Sequence, residues 1–167
     1  IASVLDISVP KMKKNPETAR ALMRALAVNI SQAPKYATLA ADMAYGDERR
    51  EPDTQTVKSY LEMFKDLYLL TDLEGWEPPL RAKSRVRTKP KRYFVDPSLP
   101  AAVLGAAPNT LMRDTQTLGD LFETLCIRDL NVYLSAMPGA GNRIAYYRDD
   151  KGLEVDVIIE DRKSTRL

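Results

Sequence analysis

Seven of the twelve residues between positions 81 and 92 are basic: Arg81, Lys83, Arg85, Arg87, Lys89, Lys91 and Arg92. No acidic residue falls among them. They alternate in part with Ala82, Ser84, Val86 and Thr88, which suits an extended strand or wing with its charges largely on one side. Cations crowded onto one short ribbon repel each other, so an anionic partner is expected, and a phosphate backbone is the natural one. The same residues also suit a solubilising strand edge, because lysine and arginine discourage edge-to-edge pairing.

Other chemistries are excluded by what is missing. The chain has no histidine, which removes Ser-His-Asp and Cys-His nucleophilic machinery and every metal site that needs an imidazole. Its one cysteine, Cys126, allows neither an intrachain disulfide nor a cysteine-rich metal cluster. Leu121, Phe122, Leu125 and Ile127 surround it in sequence, so a buried packing thiol is expected rather than a nucleophile. None of the seven glycines is followed by lysine, so no phosphate-binding loop of the Gly-Lys-Ser/Thr type is present. ATP binding and hydrolysis are therefore not expected of this chain.

The elements that position the basic run follow from caps and periodicity. The first ten residues look irregular or extended. Asn15-Pro16 then starts a helix with Ala19, Leu22, Met23, Leu26 and Ile30 on one face, and Pro34 closes it. A short helix fits Tyr36 to Ala44. Asp53 caps a third, with Val57, Tyr60, Leu61, Phe64, Leu67 and Tyr68 as its apolar side. Thr54, Gln55, Lys58, Ser59, Glu62 and Lys65 make up the polar side. A β-like run from Tyr68 to Leu73 completes a helix-turn-helix plan with a wing, in which the third helix would lie on DNA. Lys58 and Lys65 are the cations of that face, partly offset by Glu62 and Asp66, so the helix alone is a weak anchor.

Arg92 to Asp96 reads as a strand, and 101–113 as a loop. From Asp114 a long helix is expected, with Leu118, Leu121, Phe122, Leu125, Ile127 and Leu130 mostly facing inward and Pro138 to Asn142 stopping it. The chain ends in a hairpin of Ile144 to Arg148 and Leu153 to Glu160 around an Asp-Asp-Lys-Gly turn. Leu153, Val155, Val157 and Ile159 share one face of the last strand. Glu154, Asp156 and Ile158 share the other.

At 167 residues, 44% hydrophobic and 29% charged with a net charge of +2, the chain is an ordinary globular mix with room for one domain or two small ones. The expected divisions are a helix-turn-helix region over 1–75, a basic wing and linking strand over 76–100, and an α/β region over 101–167. No apolar run is long enough to span a bilayer. With so little cysteine, a cytoplasmic protein is expected. The chain opens on Ile1, so a fragment of a longer protein is expected too.

Four segments in this order resemble a family. They are Thr56 to Leu61, Lys89 to Asp96, Leu118 to Glu123, and the hairpin from Tyr146-Tyr147-Arg148 to Glu154-Val155-Asp156. Together they resemble the C-terminal domain of unknown function that follows the P-loop module in predicted bacterial and archaeal AAA+-type ATPases. The resemblance runs from about residue 15 to residue 160. It implies an α+β fold, a winged helix-turn-helix followed by a partial restriction-endonuclease-like α/β unit.

What the resemblance implies for chemistry has two sides. Nuclease folds of that kind gather Mg²⁺ and a water with a helix glutamate, a strand aspartate and a later Glu-x-Lys. Carried over, Glu123 and Asp156 are the first two members, with Glu154 beside Asp156 as a further metal candidate. No later strand supplies Glu-x-Lys, and Asp161-Arg162-Lys163 lies an odd five residues on, turned to the opposite face. The site is therefore incomplete or degenerate, and the chain leans away from being an enzyme. Plain polar alternation explains Glu154 and Asp156 equally well. The function expected is a nucleic-acid-binding accessory region of a larger ATPase, with DNA as partner, ATP only in an absent module and oligomerisation left open. The alternatives are an incomplete Mg²⁺-dependent nuclease-like domain and a protein-interaction module with an acidic partner.

Overall fold

Asn15 starts the first long helix. Its backbone is extended and its side-chain oxygen accepts from the amides of Glu17 and Thr18 at 2.7 and 3.2 Å, with Pro16 fixed in the first turn. That helix, α2 (Pro16–Val28), packs on α3 (Tyr36–Ala44) and α4 (Thr54–Asp66). Asp53 caps α4 in the same way, accepting from the Thr56 amide. Leu22, Leu26, Leu39, Val57, Leu61 and Phe64 are buried between the three helices. Each such side chain contributes on the order of 1.5–3 kcal/mol by leaving water. The computed structural model describes residues 1–45, 51–76, 89–137 and 143–160.

Two stretches expected to be irregular are helical. Residues Val4–Ser8 form a π-helical turn that runs into α1 (Val9–Lys11). Leu5 and Val9, four apart, are both buried against the helical core, and Pro10 sits in a first turn where it breaks nothing. Likewise 101–113 contains most of α5 (Ser98–Leu104) and all of α6 (Pro108–Leu111). Gly105 ends α5 in the left-handed region at φ 64°, and Pro108 opens α6, so the residues that suggest a loop are its punctuation. Leu99, Leu104 and Leu111 pack against the helical core.

After α4, Tyr68 turns the chain at φ 54°, which delays the strand to β1 (Leu70–Leu73). This strand pairs antiparallel with β2 (Lys91–Phe94) in the register Leu70 to Phe94 and Leu73 to Lys91. Both faces of the hairpin are covered. Leu70 and Phe94 face the helical core, whereas Leu73 and Tyr93 enter a second core with Ile127 and Tyr146. The chain is thus α+β, with the β1–β2 hairpin shared between two cores.

The second core is completed by α7 (Thr115–Ala136) and by the hairpin of β3 (Arg143–Arg148) and β4 (Glu154–Glu160). Backbone bonds join β3 to the extension of β1: Tyr146 N donates to Glu74 O at 3.0 Å, and Trp76 N to Tyr146 O at 2.6 Å. The inward stripe of α7 is Leu121, Thr124 and Ile127 at a spacing of three. Phe122 lies off that stripe and is 64% exposed, and Leu118 is also exposed, contrary to expectation. Cys126 is half-buried rather than buried. Among the described residues no helix is long and apolar enough to cross a membrane.

Candidate functional site

Glu154 and Asp156 of the last strand meet at Lys91, while Val157 of its other face packs against the second core. Leu153, Val155 and Ile159 are exposed, while Glu154 and Asp156 reach a single ammonium group. Lys91 is 4% exposed, and its Nζ lies 2.9 Å from Glu154 Oε1, 3.2 Å from Glu123 Oε1 and 3.3 Å from Asp156 Oδ1. An ammonium has three N–H donors, and here three carboxylates take them. The Tyr146 ring adds a face, 5.5 Å from Nζ. Tyr93, two residues along β2, donates its hydroxyl to the same Glu123 oxygen. Arg148 brings a second cation to Glu154, at 3.4 Å from Oε2.

The three carboxylates nominated from sequence are therefore neighbours in space, contributed by α7 and β4. Lys91 and Tyr93 complete the group. Neither role is evident from the basic run, in which Lys91 counts as one more surface cation. The one signal is that Lys91-Arg92 directly precedes Tyr93-Phe94-Val95, an apolar stretch that places both inside a strand rather than beyond one.

Burial acts first on Lys91 and lowers its pKa. The hydrogen bond to Glu154 and the charges of Glu123 and Glu154 outweigh it, so the pKa lies above the ordinary 10.5. Tyr93 is also pushed above its ordinary 10.0, first by burial and then by its bond to Glu123. A raised lysine contributes stability that is fully present below pH 10.5 and lost as pH rises through its folded pKa. A raised tyrosine acts in the same direction, because above pH 10.0 the unfolded chain sheds a proton that the folded chain keeps. Thermal stability is thus expected to fall steeply in alkali, from about pH 10 upward. Tyr93→Phe should make that fall shallower. A melting series from pH 8 to pH 11 checks it, and identical slopes for the two proteins would contradict it.

The carboxylates do not fit Mg²⁺ as they stand. The ammonium fills the point on which they converge, and among the described residues no group of three is disposed to hold a metal ion. As arranged, the cluster is an ion-pair clamp in which Lys91 and Arg148 offset part of the charge of three carboxylates. It ties β2 to α7 and β4 at the point where the chain enters β2.

The cations expected on phosphate are placed very differently from one another. Arg81, Lys83, Arg85 and Arg87 lie outside the described residues. Lys89 is exposed, while its carbonyl accepts from the Tyr146 hydroxyl. Lys91 is enclosed as described. Arg92 is 8% exposed on the other face of the strand, donating from Nη1 to Pro34 O at 3.1 Å with its guanidinium 5.3 Å from the Tyr36 ring centre. Adjacent strand residues point to opposite faces, and both faces here are covered. For Lys91 and Arg92 this overrides the expectation of charges gathered on one open side. On α4, Lys58 is exposed, whereas Lys65 bonds Asp72 at 2.6 Å and Glu62 at 3.3 Å, and Ser59 accepts from Lys14.

Sequence comparison places the larger part of the chain in a family. The family described as a domain of unknown function (DUF8612) matches residues 3–110. The chain belongs to DUF8612. That match carries no link to AAA+-type ATPases or to winged-helix proteins. No curated protein and no solved structure matches the chain. The DUF8612 span holds the three-helix core, the β1–β2 hairpin, Lys91 and Tyr93. Glu123, Glu154 and Asp156 come from the remainder of the chain, so the clamp joins the DUF8612 domain to the segment that follows it.

Proposed function

We propose that this DUF8612 chain is a nucleic-acid-binding module, a winged helix-turn-helix whose wing carries the phosphate contacts, serving a larger AAA+-type ATPase. The observation that carries the reading is the β1–β2 register. Pairing of Leu73 with Lys91 makes 74–90 the connection of one hairpin, so Arg81, Lys83, Arg85, Arg87 and Lys89 all belong to that connection. Five cations on one connection, with no acid between 81 and 89, supply charge for several phosphates. α4 precedes the same hairpin and offers Lys58, Gln55 and Thr54 as an exposed polar face. Such contacts position a protein on DNA without reading sequence, so tolerance of sequence is part of the proposal.

A labelled duplex displaced by competitors tests this. Unlabelled duplex of unrelated sequence should compete as well as the labelled one, and polyglutamate of equal charge should compete poorly. Equal competition by polyglutamate would favour an acidic protein surface as the partner instead.

The nuclease-like reading has one observation in its favour, the convergence of Glu123, Glu154 and Asp156. Lys91 at their centre counts against it in this chain. Incubation of DNA with the chain and Mg²⁺ is expected to leave the DNA intact.

A further inference from the structure

Arg92 is the entry to a second charged site, on the face of the β1–β2 hairpin opposite the Lys91 clamp. A cavity of about 340 Å³ is lined by Pro34, Lys35, Tyr36, Lys89, Pro90 and Arg92. Three of those six residues are cations and none is acidic. The volume falls at the lower end of the roughly 300–1,000 Å³ usual for small-ligand sites.

Three features make this arrangement costly unless an anion is bound. Arg92 is more than nine-tenths buried, yet its Nε has no hydrogen-bond partner. A buried donor left unpaired is destabilising. Asp72, its cross-strand neighbour, already bonds Lys65 at 2.6 Å. Lys35 is the N-cap of α3, a position where a side-chain oxygen is favoured and a cation opposes the helix dipole. It caps nothing, so the first-turn amides of Tyr36, Ala37 and Thr38 receive no acceptor from the N-cap side chain.

We infer that this cavity binds a phosphate group, held by the guanidinium of Arg92, the ammonium groups of Lys35 and Lys89, and the first amides of α3. Guanidinium and helix N-terminus are complementary to a tetrahedral oxyanion. Tyr36 lies under Arg92 and fixes the guanidinium plane. Only the source of the phosphate rests on the nucleic-acid reading; the site itself is argued from Lys35, Tyr36, Lys89 and Arg92.

Amide-resolved NMR titration of the chain with inorganic phosphate tests the site. The Tyr36, Ala37 and Thr38 amides are expected to shift saturably, whereas chloride at matched ionic strength leaves them in place. Lys35 is exposed, so Lys35→Glu retains the fold, and it is expected to weaken phosphate binding about tenfold. A duplex that moves the same amides identifies backbone phosphate as the source, and Lys35→Glu then lowers the salt slope of duplex binding by about one. Phosphate that moves them where duplex does not identifies a free phosphate or mononucleotide. Loss of duplex binding in R85E/R87E with these shifts intact would sever the site from the hairpin connection and leave it standing. Amides that ignore phosphate, or that shift equally in chloride or in Lys35→Glu, overturn it.

Discussion

Replacing Lys91 with methionine is expected to lower stability by about 2–3 kcal/mol, with a fall in Tm of about 5–10 °C. Methionine keeps much of the length and apolar stem but leaves Glu123, Glu154 and Asp156 facing each other without their shared cation. Removing one partner of a fully buried ion pair costs about 3–5 kcal/mol; here Asp156 is 63% exposed and Glu154 31%, and water screens part of the repulsion. A second substitution distinguishes charge from packing. Adding Glu154→Gln to Lys91→Met removes one uncompensated carboxylate and should restore about 1 kcal/mol, a non-additivity expected only of groups in contact. Urea unfolding of the two single variants and the double variant measures it. A Lys91→Met protein as stable as the parent would mean that the clamp holds nothing.

The second large effect is expected on binding. R85E/R87E replaces two cations of the hairpin connection with two anions, a change of four charges in a stretch, 81–89, where the parent presents five cations and no acid. If each arginine neutralises one phosphate, the variant loses both contacts and adds repulsion. Duplex affinity at moderate salt is then expected to fall about a hundredfold or more, with the salt slope shallower by about two. Melting temperature is the control: an unchanged Tm assigns the loss to charge rather than to unfolding. Coupling between the two large effects is also expected. Lys91→Met loosens the strand that anchors the connection, and so should weaken duplex binding modestly without removing any phosphate contact.

Much of the helical part was legible because its signals are local. Asn15-Pro16, Asp53 and Asp114 each stand immediately before an apolar repeat of helical period, and each caps the helix expected of it. The last hairpin was legible from its alternation and its Asp-Asp-Lys-Gly turn. The misread segments depend on what lies across space. Nothing local says that Leu5 and Val9 have a core to fill, or that the prolines at 10, 100 and 108 sit in first turns where they are harmless.

The candidate site was half legible for the same reason. Glu123, Glu154 and Asp156 could be nominated as a group, but their cation could not. Lys91 and Arg92 look alike in a run of basic residues, and only the burial of β2 on both faces separates their environments. One alternation of side chains sends Lys91 to three carboxylates and Arg92 to the carbonyl of Pro34 and the ring of Tyr36.

Nucleic-acid binding through the hairpin connection is tested most directly by fluorescence anisotropy of a labelled duplex, titrated with the chain at several salt concentrations. Counterion release makes log K fall linearly with log salt by about 0.9 for each phosphate neutralised. A slope of about −3 or steeper is expected, set mainly by the cations from Arg81 to Lys89. Absence of binding at low salt, or binding with a slope near zero, would contradict it.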